Sequence, residues 1–307
     1  MAINKLEKLN VTEIKPIDYS VIFLTKIFSK IKSEIEKEEL VDFYKQRAEK
    51  VNIFEFFYTS NNHKVKAILA EPKELKDKTS TIMYCRGGTG EVGCIKAIHP
   101  LIKKGEIFDL VNAGNIVVAS QLSGIDGGEG MTDAGGESDI ADVMNLYQTF
   151  QDYELANNNF ALFGGSNGGA LIYKILTQTD DFKCAAIIAG KTKELGNKDR
   201  PDFEKLKALR YQYYNTNNQE EIDKRSPIQW VDKISKNTPI LLLHGTNDWR
   251  VNVKDTLEMA TKLIENDVPI EMYIYNGDDH SLTNNKEKVK QEIIDWFSKN
   301  NLAFDKT

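Results

Sequence analysis

The stretch ALFGGSNGGALIYK, residues 161–174, decides how the rest of the chain is read. An apolar run ends at Phe163, glycines flank a serine on both sides, and a helical apolar pattern follows. Gly164-Gly165-Ser166-Asn167-Gly168 is therefore G-x-S-x-G at a strand-to-helix junction. In such a junction the serine occupies a strained turn, and glycines two before and two after it let the backbone close without clashes. Ser166 becomes the candidate nucleophile. The helix starting at Asn167 directs its unsatisfied N–H groups and positive dipole end at any anion formed on that serine. A glycine-rich turn with an idle serine is the plainer reading, and the strand before and helix after weigh against it.

Outward from this point, short apolar runs alternate with helical ones. Strands are expected at 51–59, 64–72, 80–85, 115–121, 159–163, 184–189, 239–244 and 269–275, the first two as an antiparallel pair. Helices are expected near 100–113, 138–152, 168–178, 253–266 and 285–299 as crossovers. Continuous apolar strands are buried on both faces, so this is an α/β chain with a mostly parallel eight-stranded sheet flanked by helices. The interruption at 190–236 is charged and aromatic and holds Tyr211, Tyr213, Tyr214 and Trp230. Its length calls for structure of its own, and a small helical cap near the site fits. The tyrosines either line a substrate pocket or pack the cap onto its base. Residues 1–50 read as an N-terminal helical extension before a catalytic domain at 51–307. In it Val21, Leu24, Phe28, Ile31 and Ile35 form one apolar stripe, to be buried on the chain's own body, over the site as a lid, or against a second copy in a homo-oligomer.

With 307 residues, 41% of them hydrophobic and 28% charged, the composition is that of an ordinary globular chain. A net charge of −6 argues against a partner as anionic as nucleic acid, and the apolar run at 21–24 is too short for a membrane span or signal segment. Cys85, Cys94 and Cys184 form no C-x-x-C pair and leave one thiol over, which suggests neither disulfides nor a zinc site and makes the cytoplasm the expected compartment.

A serine hydroxyl needs a base within hydrogen-bond reach, and that base needs an orienting acid. Of four histidines, His63 lies in a hairpin turn, His99 precedes a proline and His244 ends a strand, which leaves His280 in YNGDDHSL after the last strand. Chain order in this type of fold runs serine, acid, histidine, and Asp248 in HGTNDWRV satisfies it. Asp278 and Asp279 are rival acids, better suited by their closeness in sequence to shaping the loop of His280. The oxyanion requires N–H donors, for which Asn167 and Gly88, in Arg86-Gly87-Gly88-Thr89 after the 80–85 strand, are the candidates.

GGSNGG around the serine, SPIQWVDKI followed by LLLHGTNDWRV around the acid, and GDDHSL at the histidine resemble the catalytic domain of the prolyl oligopeptidase family, over roughly residues 50–300. The resemblance implies the α/β-hydrolase fold and hydrolysis of ester or amide bonds, by a peptidase or a carboxylesterase acting on a small ester or short peptide, with no cofactor or metal. The oxyanion loop of that family often reads His-Gly-Gly-Pro, so here the glycines match and both flanks differ. The family's peptidases usually carry a β-propeller, for which residues 1–50 are too few. Two readings from other classes stand beside this one. Gly88-Thr89-Gly90-Glu91-Val92-Gly93 is a G-x-G-x-x-G after a strand, as in a dinucleotide-binding reductase, but the helix starts late and the next strand ends in Ser120-Gln121 without an acid for ribose. The other is a silent hydrolase that only binds its ligand.

Overall fold

Strand residues alternate between two faces, and helices cover both. The computed structural model describes residues 2–17, 33–75, 77–95 and 106–300. In chain order its elements are α1 (Ala2–Leu6), β1 (Val11–Pro16), α2 (Glu34–Ala48), β2 (Val51–Ser60), β3 (His63–Pro72), β4 (Thr79–Cys85), α3 (Glu106–Asn112), β5 (Ile116–Ser120), α4 (Glu137–Gln151), β6 (Ala156–Gly165), α5 (Asn167–Ile175), β7 (Phe182–Ile188), α6 (Phe203–Tyr211), α7 (Gln219–Asp223), β8 (Ile240–Gly245), α8 (Val253–Glu265), β9 (Ile270–Tyr275) and α9 (Lys286–Lys299). The sheet order is β1-β2-β3-β5-β4-β6-β7-β8-β9. Pairing is antiparallel from β1 through β5 and parallel from β5 onward, with Ile82 opposite Ala161 and Ala186 opposite Leu241.

Phe160 and Leu162 of β6, with Ile240 and Leu242 of β8, face one cluster under α4, α5 and α8. Their neighbours Ala161, Phe163, Leu241 and Leu243 face the other, under α2, α3 and α9. Each fully buried side chain of this kind contributes about 1.5–3 kcal/mol, which ties the middle of the sheet to both helical layers. The helices begin where local chemistry directs: the Asn252 side chain accepts the Lys254 N–H at 3.0 Å at the head of α8, whose Met259, Ala260 and Leu263 are buried.

The sheet differs from the sequence expectation in having nine strands rather than eight. Val11–Pro16, read as part of a helical extension, pairs with β2 instead. Four of its six residues are exposed, its apolar Val11 and Ile14 are three apart, and its register shifts between Thr12 and Lys15, so it carries no alternating pattern that periodicity could detect. Of the proposed N-terminal helix, Glu34–Ala48 is α2, capped by Ser33, and Ile35 is exposed. Residues 18–32, with Val21, Leu24, Phe28 and Ile31, lie outside the described residues, as does His99. Among the described residues no helix is long and apolar enough to cross a membrane.

The segment between β7 and β8 is helical, made of α6, α7 and two short 3-10 turns at Pro227–Gln229 and Val231–Lys233. Its aromatics anchor it. Tyr214 is buried and donates to Glu194 at 2.7 Å, Trp230 packs against the core, the Tyr213 hydroxyl abuts Gly90, and Tyr211 is exposed.

Candidate active site

The parallel strands end on one side of the sheet, and the loops leaving β4, β6, β8 and β9 carry the chemistry, as is general for open α/β sheets. Ser166 follows β6 at φ 55° and ψ −121°, a conformation that costs a non-glycine residue on the order of 1–3 kcal/mol and persists only where surroundings enforce it. Three bonds enforce it here. The Ser166 N–H donates to Ile188 O at 3.0 Å, and its carbonyl accepts from Gly169 at 3.1 Å and Lys191 at 2.9 Å. The glycines allow close approach: a Cβ on Gly168 would lie 2.0 Å from Cys85 O, and one on Gly164 2.5 Å from the same atom. With these contacts α5 begins immediately behind the serine, aiming first-turn N–H groups that have no intrahelical partner.

Asp248 lies in the loop after β8 with its side chain fully buried. One carboxylate oxygen, Oδ1, accepts the backbone N–H groups of Arg250 at 2.8 Å and Val251 at 3.0 Å. The other, Oδ2, meets His280 Nδ1 at 2.6 Å and His244 Nε2 at 3.0 Å. Burial would raise this carboxyl, but the hydrogen bonds from His244 and His280 outweigh it and hold the group well below the usual carboxylate range. The loop of His280 is shaped by its neighbouring acids. Asp278 accepts from the backbone of Asp279 and Asn284 and from the Asn285 side chain, and Asp279 accepts from Ser281 and Thr283. The two acid-bearing loops touch through Gly245, where a Cβ would lie 2.3 Å from Asp278 O.

His244 is the residue that sequence reasoning passed over as a strand end. It is fully buried, with Nδ1 2.7 Å from Thr256 Oγ1 and Nε2 within 3.1 Å of Val251 O as well as against Asp248. Two acceptors at Nε2 mean that this nitrogen carries a proton and donates to both. The i, i+4 spacing from Asp248 is visible in HGTND, yet nothing in the sequence shows that the chain folds back to bring the two together.

Ser166, Asn167 and His280 line one cleft of about 730 Å³, with Gly87, Gly88 and Thr89 from the loop after β4. Gly87 lies against the serine, where its Cβ would be 3.6 Å from Ser166 Cβ. The loop folds on itself: Gly88 and Gly93 have φ of 80° and 88°, and a Cβ on Gly88 would sit 2.0 Å from Val92 O. Buried Arg86 braces it, donating to Gly90 O at 2.6 Å and Val92 O at 3.2 Å. The G-x-G-x-x-G glycines thus close a turn on themselves and open no helix at 88–93. On the opposite wall the 190–236 segment contributes Leu206, Leu209 and Arg210. Arg210 ties it to the elbow, donating to Ala134 O at 3.0 Å and reaching Asn167 Oδ1 at 3.5 Å. Cys85, Cys94 and Cys184 are buried and form no disulfide among the described residues, and among the same residues no group of three His, Cys, Asp or Glu side chains is placed to hold a metal.

Sheet order and elbow define the class: an α/β-hydrolase with its serine at the carboxyl ends of the parallel strands. The chain belongs to the prolyl oligopeptidase family, whose model matches residues 106–302, and is a serine hydrolase. It is 25% identical over 250 residues to the uncharacterized peptidase YtmA of Bacillus subtilis, covering 80% of this chain and 93% of that one. It is 28% identical over 158 residues to the acylamino-acid-releasing enzyme of Rattus norvegicus, covering 48% of this chain and 21% of that enzyme. Among solved structures, a puromycin-hydrolyzing peptidase of Mycobacterium tuberculosis superposes with a TM-score of 0.65 at 22% identity, over 80% of this chain and 38% of that one. Pyrococcus horikoshii acylaminoacyl peptidase gives 0.65 at 18%, over 82% and 42%. At those identities the likeness is one of fold. The chain spans less than half the length of both.

Proposed function

We propose that this protein hydrolyses amide bonds of short peptides, and activated esters as surrogates, through an acyl-enzyme formed on Ser166. The observation that carries the reading is the convergence of the strained Ser166 elbow and the 2.6 Å His280–Asp248 hydrogen bond on one cleft. His280 takes the Ser166 proton as Oγ adds to the carbonyl carbon, then delivers it to the departing nitrogen or oxygen. Water, deprotonated by the same imidazole, adds to the acyl-enzyme and releases the acid and free serine. Asp248 stays ionised and steadies the imidazolium. The N–H groups of Asn167 and Gly88 receive the oxyanion of each tetrahedral intermediate, and loss of one such donor costs about 2.7–4 kcal/mol of activation free energy. No step requires a metal or cofactor. The peptide preference is supported by one relative named as a peptidase and another named as an acylamino-acid-releasing enzyme.

The test is covalent. A fluorophosphonate adds one adduct to the wild type, read as intact mass, and none to Ser166→Ala, whose turnover falls by about four to six orders of magnitude. A wild type that folds but takes no adduct, or a Ser166→Ala variant that keeps its activity, overturns the assignment and favours a silent, ligand-binding hydrolase.

A further inference from the structure

The cleft is basic in a chain that is acidic overall. Lys191, Lys193, Arg200, Lys205, Arg210 and Arg250 line it against Glu194, Asp202 and Asp255, while the whole chain carries −6. Most of these charges are paired locally: Lys193 with Asp255 at 3.2 Å and Glu258 at 2.6 Å, and Arg200 with Asp202 at 2.5 Å. The buried wall is different. There, among the described residues, Glu194 is the carboxylate shared by two cations, Lys191 and Arg210, while nearby Arg225 has its own partner in Glu221 at 2.7 Å, so the cluster holds one positive charge in excess.

Arg210 is engaged in structure, through Ala134 O and Asn167 Oδ1. Lys191 is not so occupied. Its ammonium has three N–H groups and, among the described residues, one acceptor, Glu194. Its side chain is mostly buried yet lines the cleft, and its backbone N–H is bonded to the carbonyl of Ser166 itself. The ammonium therefore lies within one lysine side chain's length of the elbow and, among the described residues, beside one carboxylate.

Resting on Ser166 as the nucleophile, we infer that Lys191 is the anchor of an anion subsite, and that preferred substrates carry a carboxylate close to the scissile carbonyl. A neutral acceptor would fill a donor but leave the excess charge; a carboxylate does both. The charged groups around the ammonium are Glu194, Arg210 and Arg225, and Tyr214 donates to the same Glu194 at 2.7 Å. Burial lowers the Lys191 ammonium to about 8, with the pull of Glu194 only partly offsetting it. Burial would raise the Glu194 carboxyl, but Lys191 and Arg210 outweigh that and hold it at about 2. Across the alkaline range the acid stays charged, so the subsite loses its cation as Lys191 deprotonates.

The experiment compares kcat/KM for two matched pairs on the wild-type protein: 4-nitrophenyl hydrogen glutarate against 4-nitrophenyl pentanoate, and the butyryl ester of 4-hydroxybenzoate against that of its methyl ester. The anionic member is expected to lead by about tenfold or more in at least one pair, the worth of a charged hydrogen bond. That ratio should fall toward one in Lys191→Gln and, in the wild type, as pH rises past about 8. If Lys191→Gln does not fold, judged by its thermal melt, the pH titration of the wild-type ratio decides alone. Neutral members equal to or better than anionic ones in both pairs, or a ratio indifferent to both the substitution and pH, overturns the subsite. A wild type without a fluorophosphonate adduct instead overturns the nucleophile assignment.

Discussion

Replacing Asp248 by asparagine changes one atom and reverses one hydrogen-bonding role, and the surroundings leave the amide no good orientation. If its oxygen keeps the Arg250 and Val251 N–H groups, its NH₂ faces His280 Nδ1 and His244 Nε2. His244 Nε2 is itself a donor to Val251 O, so two donors confront each other. His280 must then accept at Nδ1 and hold its proton on Nε2, the nitrogen needed to take the Ser166 proton. The flipped amide sets NH₂ against two buried backbone N–H groups, each costing about 1–3 kcal/mol if left unpaired. The first orientation therefore prevails, with the wrong tautomer. We expect kcat to fall about 10⁴-fold, equivalent to about 5.4 kcal/mol of activation free energy at 1.36 kcal/mol per decade. The assay is ester hydrolysis at neutral pH with the fluorophosphonate labelling rate alongside, and a thermal melt to show that the variant is folded. A folded Asp248→Asn within tenfold of wild type in both would refute the role given to Asp248.

Three further outcomes follow from the same geometry. Gly168→Ala puts a Cβ 2.0 Å from Cys85 O, backbone that cannot turn away, and should cost about 3 kcal/mol in urea unfolding as well as labelling at Ser166. Unchanged stability would mean the elbow is looser than this contact requires. His244→Phe removes a donor from Asp248 and should slow labelling by about tenfold, with His244→Gln, which keeps an N–H at the same reach, closer to wild type; equal rates in all three would remove His244 from the site. Finally, the folded-state carboxyl of Asp248 is held below its unfolded value, so its contribution to stability is present above about pH 4 and is lost as pH falls below that. The wild type should therefore lose more stability than Asp248→Asn between about pH 4 and pH 2, and parallel acid-unfolding curves would contradict this.

Much of this molecule is legible in its residues. Eight strands and the crossover helices follow from apolar runs and helical periodicity, most plainly in β4, β5 and β8, which are buried throughout and have no polar alternation to blur them. The G-x-S-x-G junction marks the elbow because steric closure there admits only glycine, as Gly164 and Gly168 against Cys85 O make concrete. Chain order singled out Asp248 and His280, whose side chains the fold brings to 2.6 Å. Gly88, chosen from its loop, lines the cleft with Ser166, as does its neighbour Gly87, whose Cβ would lie 3.6 Å from Ser166 Cβ.

What tertiary structure alone decided is everything that depends on pairing distant, patternless segments. Val11–Pro16 becomes an edge strand through its partner β2, since a short, largely exposed strand with a register shift carries no signal of its own. His244 becomes a partner of Asp248 because the loop after β8 folds back on its strand. The excess charge beside the serine exists only where Lys191 and Glu194 meet Arg210 from α6, and Arg210 in turn reaches Ala134, 76 positions away in sequence. Periodicity records which side of an element is buried; which charges then face one another across a cleft is set by how the elements pack.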